Sequence, residues 1–124
     1  MATANSFIEH LRELLHPVAG VTFKRMFGGH GLFRGGLMFG LVADDTLYFK
    51  VDEQSKPAFV ERDLGPFVYV KDGKPMPMSY YRAPEETLDN GDDMVEWAEI
   101  AYQAAVRAQK PKPKKATKRN SFVS

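Results

Sequence analysis

Leu37-Met38-Phe39-Gly40-Leu41-Val42-Ala43, then Asp44-Asp45, then Thr46-Leu47-Tyr48-Phe49-Lys50-Val51: this stretch decides the fold class. Leu37, Phe39, Leu41 and Ala43 alternate with Met38, Gly40 and Val42; Leu47, Phe49 and Val51 alternate with Thr46, Tyr48 and Lys50. A repeat of two sends successive side chains to opposite faces of a strand and does not suit a helix. Asp44-Asp45, and Gly35-Gly36 just upstream, have the length of two-residue hairpin connections, and the glycine pair permits the positive φ such turns need. Residues 22–51 therefore read as an antiparallel meander of three strands or more.

Helical patterns flank the meander. Ser6-Phe7-Ile8-Glu9 has the form of a capping box, and Ile8, Leu11 and Leu15 follow at helical spacing until Pro17 and Gly20, which predicts a helix over about 6–15. Ser55-Lys56-Pro57 opens a second helix, continued by Ala58, Phe59 and Arg62 and closed by Asp63-Leu64-Gly65. Phe67 to Lys71 and Met76 to Arg82 form a hairpin around Asp72-Gly73; Pro75 and Pro77 donate no ladder hydrogen bond, so that strand starts on an edge or beyond it. Asp92 or Asp93 caps a last helix whose polar stripe is Glu96, Glu99, Gln103 and Arg107. Its apolar arc, from Met94 and Trp97 to Ala105 and Val106, is wider than one sheet face requires, so the helix is deeply sunk or meets a partner chain. The elements add up to an α+β fold: an antiparallel sheet with flanking helices.

The 124 residues, 44% apolar and 27% charged, fit one soluble domain. With no cysteine there is no disulfide, thiolate metal site or catalytic thiol. No apolar run reaches the ~20 residues that span a bilayer, and the first residues lack the regions of a signal peptide, so the expected location is cytoplasmic, with no membrane partner. The net charge of +1 conceals a split: residues 107–124 hold seven Lys/Arg and no acid, which leaves residues 1–106 at −6. The expected division is a domain over 1–107 and a disordered Lys/Pro-rich tail over 108–124. Lys110, Lys112, Lys114, Lys115, Lys118 and Arg119 are candidate contacts to nucleic-acid phosphates. A solubilising tail, or one that folds back on the acidic body, are the competing readings. The acidic body itself should oppose nucleic acid.

Sites for chemistry are few. Gly28-Gly29-His30-Gly31 and Gly35-Gly36 precede strands, so they shape turns or bulges and do not form a phosphate loop. His10, His16 and His30 show no metal-ligand spacing. Ser79 lacks a nucleophile elbow and reads as part of an aromatic strand. The expectation is no catalytic residue, no metal and no cofactor. Arg25, Met26, Phe27, Gly28, Gly29 and His30, with Tyr80, Tyr81 and Arg82, place arginines and aromatics beside flexible or edge backbone, the residue types enriched at interface hot spots. They are the candidate partner-binding residues; core and edge packing is the competing reading.

Arg25-Met26-Phe27-Gly28-Gly29-His30-Gly31-Leu32-Phe33, Gly36 to Asp44, Leu47-Tyr48-Phe49-Lys50-Val51-Asp52 and Met78-Ser79-Tyr80-Tyr81-Arg82-Ala83-Pro84 form one ordered set. The set resembles the N-terminal domain of the TfoX/Sxy family of bacterial competence regulators, from about Phe7 to Val106. The resemblance implies a secretion-chaperone-like fold of order α-β(3)-α-β(2)-α and a non-enzymatic regulatory role in the bacterial cytoplasm. It also implies a protein partner of the transcription-regulator kind and a homodimer. It carries over no catalytic residue. Two departures stand out: a basic tail follows Arg107 where full-length members continue with a helical domain, as in stand-alone single-domain members, and His30 sits where an aromatic is more usual. Three functions follow in order: a regulatory protein-binding module, an accessory nucleic-acid-binding protein using the tail, and an enzyme or small-ligand carrier with a pocket near Ser79 and His30.

Overall fold

A computed structural model describes residues 3–26 and 28–109. Helix α1 (Thr3–Leu14) leads into β1 (Val21–Met26), β2 (Gly29–Arg34), β3 (Leu37–Ala43) and β4 (Thr46–Lys50). Then come α2 (Lys56–Val60), β5 (Pro66–Lys71), β6 (Lys74–Arg82), a 3₁₀ turn (Glu85–Leu88) and α3 (Gly91–Gln109). The strands form one sheet in the order β1-β2-β3-β4-β6-β5, with every neighbouring pair antiparallel. The α+β class and the succession of helix, meander, helix, hairpin and helix are those expected, and the meander has four strands.

Turn chemistry lays out the sheet. Arg34 pairs with Leu37, Ala43 with Thr46 and Lys71 with Lys74, each across a two-residue turn. Both turn residues have positive φ in every case: Gly35 and Gly36, Asp44 and Asp45, Asp72 and Gly73. That is the type I′ geometry, whose twist matches the strands it joins. Aspartate tolerates the left-handed region better than most side chains do, which lets Asp44-Asp45 serve without glycine.

The strict alternation expected along β3 breaks at one point. Leu32 pairs with Gly40, but Phe33 pairs with Met38, so the register skips Phe39. An extra residue reverses the facing of everything beyond it. Leu37, Phe39 and Val42 therefore all join the main core, and Leu41, expected alongside Leu37 and Phe39, is buried outside that cluster. In β4 the alternation holds, with Leu47 and Phe49, followed by Val51, in the core.

All helices cover one face of the sheet. Ile8, Leu11 and Leu15 of the first helical segment, Phe59 of α2, and Met94, Trp97, Ala98, Ala101 and Ala105 of α3 meet the core side of the strands. Phe59 sits at the junction, edge-on to Trp97 at 5.1 Å and to Tyr81 at 6.2 Å between ring centroids. The alanines of α3 let its axis approach β3 and β4 closely. Much of the wide arc is thereby absorbed within the chain, and Tyr102 is roofed by the Arg34 guanidinium at 4.3 Å.

Helix ends differ from expectation in three places, and one is α2, which stops at Val60, short of Arg62. The first helix begins at Thr3, so Ser6 lies inside it and is not a cap; no proline or glycine among residues 3–5 interrupts it. The third is capped by Asn90, whose Oδ1 accepts from the N–H of Asp92 at 2.8 Å and of Asp93 at 3.3 Å. Asp92 and Asp93 lie in the first turn, where their charge suits the helix dipole. Ser55 precedes α2 without capping it; its Oγ accepts the Asp52 N–H, and its own N–H goes to Asp52 Oδ1.

Candidate partner-binding surface

The residues singled out by sequence fall into separate places. Arg25 and Met26 end β1, an edge strand, and pair with His30 and Gly29 of β2. Phe27 lies outside the described residues, as do Lys110, Lys112, Lys114, Lys115, Lys118 and Arg119. Gly28 makes the turn at φ +74° with open space around it. Gly29 is held by contact instead: a Cβ there would come within 1.9 Å of the Val42 carbonyl oxygen. His30 is half-buried, and its pKa is lowered first by burial and then by the positive charges of Arg25 and Arg12.

Tyr80, Tyr81 and Arg82 belong to β6, which lies between β4 and β5 at these positions, not on an edge. Tyr80 is only 9% exposed. Its hydroxyl donates to the Met38 carbonyl at 3.2 Å, and burial pushes its pKa up to about 12. Tyr81 packs on Phe59 from the core side. Arg82 alone of the three is exposed. A direct row of register partners, Lys24–Gly31–Leu41–Tyr48–Arg82, runs from β1 to β6. At the usual strand spacing its ends lie about 19 Å apart, so the β1–β2 turn and Arg82 do not form a single contact point.

Ser79 accepts a hydrogen bond from Lys50 Nζ at 2.7 Å. Burial pulls the Lys50 ammonium below its ordinary pKa, with the Asp52 carboxylate opposing. A shallow hollow of about 310 Å³ beside Ser79 is lined by Asp52, Lys56 and Tyr81 among others, and His30 is not part of it. A second hollow, about 320 Å³, brings Arg82 near Asp45, Thr46 and Glu85. His10 Nε2 donates to the Leu88 carbonyl at 2.6 Å, tying α1 to the 3₁₀ turn. Among the described residues no group of three His, Asp or Glu side chains is placed to hold a metal ion. None of their helices is long and apolar enough to cross a membrane.

The sheet margin holds residues outside the candidate set. β5 is the other edge strand. Of the four exposed large hydrophobics among the described residues, three lie on it: Val68 at 44%, Tyr69 at 39% and Val70 at 63%. The pairs flanking a two-residue turn are hydrogen-bonded and alternate with unbonded ones. Lys71↔Lys74 and Tyr69↔Met76 are thus bonded, while Val68 and Val70, opposite Pro77 and Pro75, turn their backbone groups away from β6. The prolines face the other side, beyond the end of β4, where they deny an incoming strand a donor. Among the described residues the projecting hairpin is blocked on one side and open on the other. The signal in the sequence was Val68-Tyr69-Val70 with no charge among them.

These features define an α+β domain with one antiparallel sheet, helices on a single face, shallow hollows and open strand edges. The TfoX N-terminal domain model matches residues 13–105, three-quarters of the chain, and the chain belongs to that family. It is also similar to protein Sxy of Escherichia coli (strain K12), 26% identical over 96 residues that make up 77% of this chain and 46% of the relative. The chain thus spans about half the length of the curated relative it matches.

Proposed function

We propose that this chain is a regulatory protein-binding module of the competence-regulator kind, which receives a strand of a partner protein along the outer edge of β5. One observation supports this reading above the others: an apolar edge strand, Val68-Tyr69-Val70, exposed in a hairpin whose opposite side is closed by Pro75 and Pro77. Natural sheets guard their edges with charge, proline or bulges. An edge guarded on one side only is a docking edge, because main-chain hydrogen bonds give an added strand its affinity and alternate side chains give it selectivity. Family membership makes a transcription regulator the partner of choice.

The test is affinity capture of the full chain from its own bacterium, comparing Val70→Lys with Val60→Lys, which alters an exposed valine of α2. The expected result is a transcription regulator retained by wild type and Val60→Lys and lost with Val70→Lys. Equal recovery by all three overturns the reading. If Val70→Lys instead converts a dimer to a monomer in light scattering, the edge serves a second copy and not a foreign strand.

A further inference from the structure

None of the 16 Asp and Glu residues lies in a strand. Every charged residue of the six strands is basic: Lys24, Arg25, His30 when protonated, Arg34, Lys50, Lys71, Lys74 and Arg82. The −6 of residues 1–106 therefore resides in helices, turns and loops, so the acidic body is not acidic everywhere. Among the described residues the helices cover one face of the sheet only, and the opposite face carries the row Lys24–Gly31–Leu41–Tyr48–Arg82.

On that face Leu41, 1% exposed, forms a floor. Tyr48 stands in the row beside it, with Phe67 at 5.1 Å between ring centroids, and Phe33 flanks Gly31. All three rings are half-buried, with area left to cover. Lys50 Nζ lies 5.3 Å from the Tyr80 ring. Lys24 and Arg82 are exposed at the two ends, and neither side chain has a hydrogen-bond or ion-pair partner among the described residues. Asp45 and Glu85 line the hollow beside Arg82 but make no ion pair with it.

We propose that the helix-free face of the sheet binds single-stranded nucleic acid, with bases stacked on Tyr48, Phe33 and Phe67 and phosphates met by Lys24, Lys50 and Arg82. Rings flanked by cations match a polyanion whose bases have exposed π-faces. A duplex hides those faces in its own stack. A second copy would bring like charges together, and an acidic peptide would satisfy the cations but leave the rings without stacking partners. Of β5 the site uses only Phe67, whose ring meets Tyr48, and it takes none of Val68, Tyr69 and Val70 and none of the basic residues after Gln109.

The experiment measures fluorescence anisotropy of labelled oligothymidylate, a duplex of equal length and polyglutamate with the full chain over a range of salt. Variants are the double charge reversal Lys24→Glu/Arg82→Glu, at exposed positions, and Tyr48→Leu, which keeps apolar cover over Leu41; circular dichroism confirms their fold. The expected result is preference for the single strand. Charge reversal should weaken it by about tenfold or more and flatten the salt slope by about two; Tyr48→Leu should weaken it by about tenfold. Affinity unchanged by both variants, or equal for duplex and single strand, overturns the proposal, because the basic C-terminal residues then carry the binding. Polyglutamate binding abolished by the same charge reversal also overturns it, in favour of an acidic protein ligand.

Discussion

Arg107, near the end of α3, grips Asp52, just beyond β4, at two points: Nε donates to Oδ2 at 2.5 Å and Nη2 to Oδ1 at 3.0 Å. The same carboxylate accepts the N–H groups of Gln54 and Ser55. One side chain thus fastens the last helix to the loop that starts α2. The Arg107 hydrogen bond holds the Asp52 pKa at about 2, against an ordinary value of 3.8.

Because the folded pKa is depressed, this contribution is present in full above the unfolded value and is lost as pH falls from about 4 to about 2. The partners are 33% and 21% exposed, so water screens the pair and Arg107→Ala should cost about 1 kcal/mol at neutral pH. Urea unfolding of wild type and variant across that window should show the gap closing as the solution is acidified. A gap independent of pH would mean that packing of the Arg107 stem, and not the ion pair, matters.

Tyr80 sets the opposite limb. Its folded pKa is raised to about 12 from 10.0, so its share of stability is present below pH 10 and is lost as pH rises toward 12. Absorbance titration should find one phenol ionising near the top of this range. In Tyr80→Phe the alkaline decline in stability should be shallower.

The adjacent glycines Gly28 and Gly29 are required for different reasons. Gly28→Ala meets open space but a φ of +74°, a strain of about 1 kcal/mol. Gly29→Ala has ordinary φ but drives a Cβ against the Val42 carbonyl, which forces β2 from β3 and should cost about 3 kcal/mol. Thermal unfolding should rank the Gly29 variant well below the Gly28 variant; the reverse order would place the constraint in the turn.

Caps and core give the remaining scale. Asn90→Ala removes the acceptor for two helix N–H groups and should cost about 1 kcal/mol, more than Asp92→Ala does. Phe59→Ala empties the contact with Trp97 and Tyr81 at a fully buried site and should cost about 3–5 kcal/mol. Chemical denaturation measures both.

Features that depend on near neighbours were legible along the chain. Gly35-Gly36, Asp44-Asp45 and Asp72-Gly73 place the hairpins, since a two-residue turn needs particular residues at two adjacent positions. The period along Thr46–Val51 and the apolar spacing of α3 declare strand and helix, and the motif from Arg25 to Phe33 carries the family. Pro75 and Pro77 announce a strand that runs past its neighbour. Features that depend on distant pairs emerge only in the folded sheet. The skipped register at Phe39 turns Leu41 away from the core, because Leu32 and Phe33 impose the pairing from another strand. The order β4-β6-β5 places Tyr80 and Tyr81 inside and leaves β5 at the margin, a choice no local pattern encodes. Only the assembled sheet aligns Lys24, Tyr48 and Arg82 in one row, because hydrogen-bonded strands bring together residues that the chain keeps far apart.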